Sequence, residues 1–443
     1  MSDFLWIKNS SLLGRNQLRR DALAMVEKVL SAIDTKEAIR REVYLDREKL
    51  HLGKHVYDLK SIERIFLCGV GKCALEAATE IEVVLGERLA GGIVIGLEKD
   101  DRDHYFNYFA GQHPLPCVCN IEATTQLIHL LKEVRSNDLV IFIVSGGGST
   151  LLCAPDKKGV AMLDEQKIIV ELTRQGATIQ ELNTVRKHLS LARGGWLAQY
   201  AYPAQIATLI FSDVPGNNYG FVASGPFEYD ETDNFKADFI LDKYQVRKKV
   251  AIDFDQLIET PKDRKYFSRV KKITLVTNEQ ALSAGALVAK ELGYNPVICD
   301  TGLSGEARVV GETIAKILAQ SPSKTALLYG GETTVTLGDV RLRSGELWRG
   351  EGGRNRELAL ASLLTLPKNS LLLALASDGQ DNGPIAGALV DQETISRAKV
   401  LGLDPKKYLN NHDSGEFFHT VGDEIKTGPT EINVADIIIA IKG

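Results

Sequence analysis

The feature that most constrains this chain is an alternation that begins near residue 60: a short β-rich run, a glycine turn, a helical run, then the same again. Ile65-Phe66-Leu67-Cys68 leads through Gly69-Val70-Gly71-Lys72 into CALEAATEIEVVL, and 92–95 reads as the next strand. Residues 121–134 have a helical pattern, 139–144 are six consecutive apolar residues, and 207–211 form another strand-like run. Runs that are apolar throughout are buried on both faces, which suits a parallel sheet covered by helices. The block from about 230 to 270 is rich in Asp, Lys and Arg and reads as a helical connection. The alternation then restarts with strand 273–276, helix 280–292, strand 296–299, helix 307–318 and strand 326–329, and later strands at 371–376 and 436–440. The expected fold is α/β, with two lobes that each hold a mostly parallel sheet flanked by helices.

Composition narrows the function classes. With 58 acidic and 53 basic residues the net charge is −5, which excludes a general electrostatic grip on nucleic acid. No stretch approaches about 18 uninterrupted apolar residues, so no membrane span is expected. The first residues lack the compact apolar core of a secretory signal, and 18–33 read instead as an amphipathic helix. The six cysteines are too sparse for a disulfide scaffold, and Cys117-Val118-Cys119 offers only two of the soft ligands a zinc site needs. A reduced, cytoplasmic enzyme is the expectation.

In an open α/β sheet, ligands gather beyond the carboxyl ends of the strands, where loops expose backbone N–H groups. Many such ends here combine glycine with a polar or charged residue: 69–72, Ser145-Gly146-Gly147-Gly148-Ser149, Ser212-Asp213-Val214-Pro215-Gly216, Gly330-Gly331-Glu332-Thr333-Thr334 and Ser377-Asp378-Gly379-Gln380-Asp381. Gly69, Gly71 and Ala74 match the dinucleotide pattern G-x-G-x-x-G/A, although a plain turn explains so short a match equally well. Lys72 places a compact cation at a helix start, and the triple glycine lets backbone approach an anion closely. Asp213 and Asp378 each could hold magnesium, accept a substrate proton, or cap a turn. Arg354 follows two glycines at a helix start, where the local dipole opposes it unless an anion is near. Arg186, Lys187 and His188 are either a solvated helix face or a ligand site, and His113 before Pro114 reads as a turn residue.

The ordered set of motifs resembles the class II glycerate kinases, the glycerate 2-kinases of the MOFRL-domain type. The matching segments are Val70-Gly71-Lys72, GQHPLP (111–116), VSGGGSTLL (144–152), LNTVRKHLSLARGGWLA (182–198) and SDVPGNNYGFVASGP (212–226), then GGETTVT (330–336), GGRNRELALA (352–361), SDGQDNGPIAGALVD (377–391) and TGPTEINVAD (427–436). The resemblance implies an N-terminal Rossmann-like domain over 1–255 and a C-terminal MOFRL-type domain over 256–443, with the active site in the cleft between them. It implies ATP- and magnesium-dependent phosphorylation of D-glycerate, usually at the 2-hydroxyl. The family's functional lysine falls on Lys72 and its functional arginine on Arg354.

On that reading Lys72, Arg354, Asp213 and Asp378 are catalytic, and Asp213 and Asp378 also bind the metal. Ser145, Gly146, Gly147, Gly148 and Ser149, with Gly330, Gly331, Glu332 and Thr333, hold the nucleotide. The expected partners are small molecules, neither nucleic acid nor membrane. Three positions depart from the usual family motifs: Arg193 where Lys is common before paired glycines, and Glu431 and Ala435 in place of a small and a polar residue. The main alternatives are an NAD(P)-dependent hydroxypyruvate or hydroxyacid reductase, motivated by the 69–74 match, a kinase of another small hydroxy acid, and a non-catalytic nucleotide or sugar-acid sensor.

Overall fold

The computed structural model describes residues 6–113, 115–155, 162–211, 219–250, 257–337, 350–430 and 434–443. The chain forms two compact units, residues 35–275 and residues 1–34 with 276–443. These units differ from a division at 255/256 at both ends, since the first 34 residues join the C-terminal unit and 256–275 join the N-terminal one.

The 35–275 unit is built on a seven-stranded sheet in the order Val270–Val276, Gln205–Phe211, Leu139–Val144, Ile65–Val70, Ile93–Gly96, Asn107–Ala110, with Leu89–Gly91 also paired to Ile65–Val70. The pairings with Ile65–Val70 at the centre are parallel, and every residue of Ile65–Val70 and Leu139–Val144 is buried. Helices Ala74–Leu85 and Val118–Lys132 follow two of these strands. Leu127, Leu131, Phe142, Leu197 and Phe227 belong to one core cluster of this unit. A small antiparallel sheet, Val43–Asp46, Lys49–Leu52 and His55–Asp58, precedes it.

Two expectations are corrected here. The 230–270 block is not a bare connection: helices Asn234–Lys243 and Val246–Val250 bring Ile240, Leu241 and Val246 into an apolar cluster with Leu172 and Val185. The run expected to open the second lobe is instead the edge strand of the first sheet. Thr208 Oγ1 donates to Lys271 O at 3.1 Å and Ile206 N to Arg269 O at 3.1 Å. Exposed Lys271 and Lys272 on that strand suit an edge, because charge there opposes further strand addition.

The other unit carries a six-stranded sheet in the order Asn295–Glu306, Thr325–Thr334, Asp436–Lys442, Ser370–Ala376, Gly387–Asp391, Glu424–Ile425. Only the first pairing is parallel, and the others are antiparallel. The sheet is therefore mixed rather than mostly parallel. The reason is connection length: Ser370–Ala376 turns back into Gly387–Asp391 through ten residues, too short for a helical crossover, and a return of that kind is antiparallel.

Helix Gln17–Ala32 belongs to this unit, and a buried ion cluster fixes it. Arg19, with no exposed surface, donates Nε and Nη2 to Asp391 at 2.8 and 2.7 Å and Nη1 to Asp423 at 2.8 Å. Burial draws the Asp391 carboxyl upward, yet Arg19 and Asn16 carry it below the usual carboxylate range. Cys117 and Cys119 are placed sulfur to sulfur as a pair, while Cys68, Cys73, Cys153 and Cys299 are free. No helix among the described residues is long and apolar enough to cross a membrane.

Candidate functional site

In the 35–275 unit the two central strands are paired in register from Ile65↔Leu139 to Val70↔Val144, so the turns that follow them emerge side by side. Lys72 N donates to Gly146 O at 2.9 Å, and Ser145 N to Val70 O at 3.0 Å, which locks one turn to the other. Gly71 sits at φ +129° with Ser145 Oγ 2.0 Å from where a Cβ would stand, so any side chain there would separate the turns. The Gly71 N–H goes to Ile95 O at 3.1 Å. Both N–H groups of the first turn are therefore taken within the fold, which removes the open backbone that a dinucleotide turn needs.

The triple-glycine turn behaves differently. The N–H groups of Gly146, Gly147 and Ser149 have no acceptor among the described residues, and a short row of open amides is an anion-binding nest. The Cβ position of Gly147 is flanked at 3.4 Å by Lys72 Cγ and at 3.4 Å by His113 Cδ2. Gly148 packs on Ala223, whose Cβ would lie 2.6 Å from a Cβ at 148. Ser145 is buried with a hydroxyl that finds no partner among the described residues. Ser149 Oγ lies 2.9 Å from Ser224 Oγ, which itself donates to Asn183 Oδ1 at 2.8 Å. The Ser149 hydroxyl hydrogen is thereby committed to Ser224, and what Ser149 has open is its backbone N–H.

Buried Asn120 ties the His113 loop to this turn. It accepts from Gln112 N at 2.9 Å and donates Nδ2 to Gln112 O and to Thr150 O, each at 3.1 Å. Burial, then Lys72 and Arg186, lower the His113 pKa, so the ring is neutral at pH 7. Arg193, the first departure from the family motif, pairs with Glu165 and donates Nε to Leu152 O at 3.1 Å.

In the other unit, Arg354 opens helix Arg354–Leu363, with Gly353 as its N-cap. Its anion is protein: Nε and Nη2 donate to the two oxygens of Asp436 at 2.6 and 2.9 Å, and Nη1 lies 2.7 Å from Glu332 Oε1. Gly331 and Ala376 both stand opposite Asp436 in the sheet, so the turns bearing Glu332 and Asp378 leave on either side of it. Burial raises the Asp436 carboxyl to about 6 even against Arg354, and Asp381 adds to the rise. Asp381 is itself satisfied, accepting from Asn355 N at 2.9 Å and Arg356 N at 3.0 Å at the start of the helix.

Asp378 Oδ1 accepts from Gln380 N at 3.0 Å. Thr333, beyond Gly330 and Gly331 on the same strand, is buried with an unpartnered hydroxyl. Ala435 holds φ +74°, a region that suits Asn or Gly better, so this departure from the motif costs about 1 kcal/mol. Asp213, the 212–218 turn and Glu431 lie outside the described residues. No group of three or more His, Cys, Asp or Glu among the described residues is arranged to hold a metal.

The structure thus gathers Lys72 with residues 145–149, and Arg354 with Glu332 beside the Asp378 turn. Sequence reasoning missed Asp436, Asn120 and Ser224. An Asp opening an otherwise apolar strand was the available signal for Asp436. Asn120 and Ser224 gave none, because their roles are contacts between distant segments.

The family model described as Domain of unknown function (DUF4147) matches residues 21–259, and that of the MOFRL family matches 325–436. A D-glycerate 2-kinase of Thermotoga maritima is 35% identical over 439 residues, 96% of this chain and 98% of its own. An Agrobacterium vitis protein named "Putative hydroxypyruvate reductase" is 34% identical over 84% of this chain and 86% of its own. The crystal structure of a glycerate kinase from Thermotoga maritima matches with a TM-score of 0.80 at 32% identity, covering 96% of this chain and 99% of that one.

Proposed function

Because the chain belongs to the glycerate 2-kinase family, whose reaction is glycerate phosphorylation, we propose that it transfers the terminal phosphoryl group of ATP to the 2-hydroxyl of D-glycerate with magnesium. The observation that carries this reading is the row of open amides at Gly146, Gly147 and Ser149 beside Lys72. Phosphoryl transfer is mostly positioning and charge neutralisation, so it needs such a cradle more than a covalent nucleophile.

The amides take phosphate oxygens, and the Lys72 ammonium answers the charge that develops on the moving group. Asp436 and Glu332 hold the Arg354 fork in one orientation, so its remaining donors are aimed before substrate arrives. Asp378 and Asp213 share the orientation of the attacking hydroxyl and the metal. Magnesium, which keeps several waters and needs only one or two carboxylates beside substrate phosphates, would be held by Asp378 with Asp213 and would supply neutralisation of phosphate charge when bound.

The test is incubation with D-glycerate, ATP and magnesium, with the product identified by phosphorus NMR. The expected product is 2-phosphoglycerate. A 3-phosphorylated product would overturn the position, and no ADP release would overturn the reaction. The reductase reading keeps one favourable observation, the Agrobacterium vitis relative's name. Against it stand the Gly71 and Lys72 N–H groups, both taken within the fold. Oxidation of NADH or NADPH with hydroxypyruvate would favour it.

A further inference from the structure

Arg186 is a half-buried cation with no acid within ion-pair distance among the described residues. The segment from Arg186 to Arg193 carries three cationic side chains, two of which have acids, and its helix is tied to the triple-glycine turn through Asn183, Ser224 and Ser149. Lys187 Nζ lies 3.3 Å from Asp230 Oδ1, and Arg193 Nη1 pairs with Glu165. The Arg186 guanidinium, half-buried at the end of helix Ile179–Lys187, makes no hydrogen bond or ion pair with any described residue. Its backbone carbonyl, by contrast, accepts from Leu189 N at 3.3 Å and from Arg193 Nη1 at 3.4 Å.

A cation at a helix C-terminus is favoured by the dipole, typically by less than about 1 kcal/mol. That does not explain the site, because its surroundings oppose the charge. Burial, then Arg193, lower the Arg186 pKa, and Glu165 only partly offsets them. Arg186 and Lys72 also both act on His113, which lies with Lys72 against Gly147. An arginine keeps its proton, so a half-buried guanidinium among cations without a counter-ion is one that an incoming anion would complete.

We infer that Arg186, which shares a helix face with Asn183 three residues earlier and so with the Asn183–Ser224–Ser149 link to the triple-glycine turn, is the subsite for the carboxylate of the acid substrate. This rests on reading the chain as a kinase of a small hydroxy acid. The assignment to carboxylate rather than phosphate follows from geometry and chemistry. The open amides and Lys72 already offer round, multidirectional contacts to phosphate, whereas the planar guanidinium fork matches a carboxylate bidentately. Neutral His113, against Gly147, can donate one further hydrogen bond to a bound acid without adding charge.

The experiment compares wild type, Arg186→Gln and Arg186→Lys on D-glycerate and on D-glyceramide, which keeps both hydroxyls but lacks the charge. Arg186→Gln is expected to raise KM for D-glycerate about tenfold to hundredfold. The KM for ATP should stay within about twofold, and the preference for glycerate over glyceramide should collapse. Arg186→Lys should recover part of the affinity, since charge returns without the fork. A rise in the KM for ATP with the glycerate preference intact would overturn the subsite in favour of phosphate, and unchanged constants would overturn it outright.

If Arg186→Gln does not fold, Arg186→Lys and thermal shifts of wild type with glycerate against glyceramide decide the matter. Equal shifts would refute carboxylate recognition. Wild type that phosphorylates glycerate while Arg186→Gln matches it sinks only the subsite. Wild type with no kinase activity sinks the proposed function as well.

Discussion

Asp436→Asn separates what the Arg354–Asp436 pair does for the fold from what it does for the reaction. Asp436 is 1% exposed, and both its oxygens are engaged by Arg354. Burial nevertheless lifts its pKa from 3.8 to about 6, so taking the charge out of water outweighs the arginine's attraction. Burial opposes the charge on Arg354 too, but Asp436 and then Glu332 outweigh it and hold the guanidinium firmly in the charged form, with about a third of its side chain still facing water. The carboxylate's side decides the stability, since it is the more deeply buried partner.

The sign then follows from proton linkage. A carboxyl whose folded pKa lies above its unfolded value binds protons more tightly in the native state, so stability falls as pH rises from about 4 to 6 and is level above that. A rise of about two pKa units corresponds to about 3 kcal/mol, of which roughly half is lost between pH 5 and pH 7.5. Asparagine keeps the shape and removes the charge. Urea titrations at the two pH values should show wild type losing about 1 kcal/mol more than the variant on going to pH 7.5. At pH 7.5 the variant should be no less stable than wild type.

Turnover should move the other way, falling about tenfold to a hundredfold, because one amide oxygen cannot hold both N–H groups of the fork. The acid limb of the wild-type pH–rate profile near pH 6 should vanish with it. A variant that loses 3 kcal/mol or more at pH 7.5, with unchanged pH dependence, would mean the buried carboxylate is a stabilising partner and would refute this account.

Two further substitutions test the scaffold. Gly71→Ala places a Cβ 2.0 Å from Ser145 Oγ and 2.8 Å from Ser145 O at φ +129°, so it should cost about 3 kcal/mol in a denaturant titration and reduce turnover, and a loss under about 1 kcal/mol would contradict the close approach of the turns. Arg19→Met leaves Asp391 and Asp423 buried without their cation and should cost about 3–5 kcal/mol; a neutral result would show that residues 1–34 are not anchored as described.

Much of the fold was legible because its strands are buried on both faces. Leu139–Val144 and Ile65–Val70 read as strands from apolar continuity alone, and the helical run at 280–292 is helix Asn278–Glu291, whose start, where Thr277 and Gln280 cap each other's N–H groups at 3.1 and 3.0 Å, went unread. Strand direction was not legible, since Ser370–Ala376 and Asp436–Lys442 are as apolar as any parallel strand. Sheet allegiance was hidden too: Val270–Val276 carries lysines that mark an edge, but not which sheet's edge. At the site, the glycine turns were visible and the fate of their amides was not. The 69–72 turn and the 145–149 turn look alike in sequence, yet the first has the N–H groups of Gly71 and Lys72 taken by the fold and the second leaves those of Gly146, Gly147 and Ser149 open, a difference created by pairing between strands.

That difference also divides the work between the two proposed cations. Arg354 faces two carboxylates, so with Asp436 ionised the trio it forms with Glu332 carries a net negative charge, and it is a poor resting place for a further anion. Its value is orientation, which is realised when charge moves in the transition state. The 145–149 turn instead offers open amides with Lys72 alongside, and interactions of that kind hold a phosphate already in the ground state. Lys72→Ala should therefore raise the KM for ATP as well as lower kcat, with a combined loss of about a hundredfold or more in kcat/KM. Arg354→Ala should lower kcat by about a hundredfold with the KM for ATP within a fewfold of wild type. Steady-state kinetics at saturating D-glycerate reads the split directly. If Arg354→Ala weakens ATP binding while Lys72→Ala leaves it untouched, the anion sits with the arginine, and the pairing of Arg354 to its carboxylates must break before the substrate can bind.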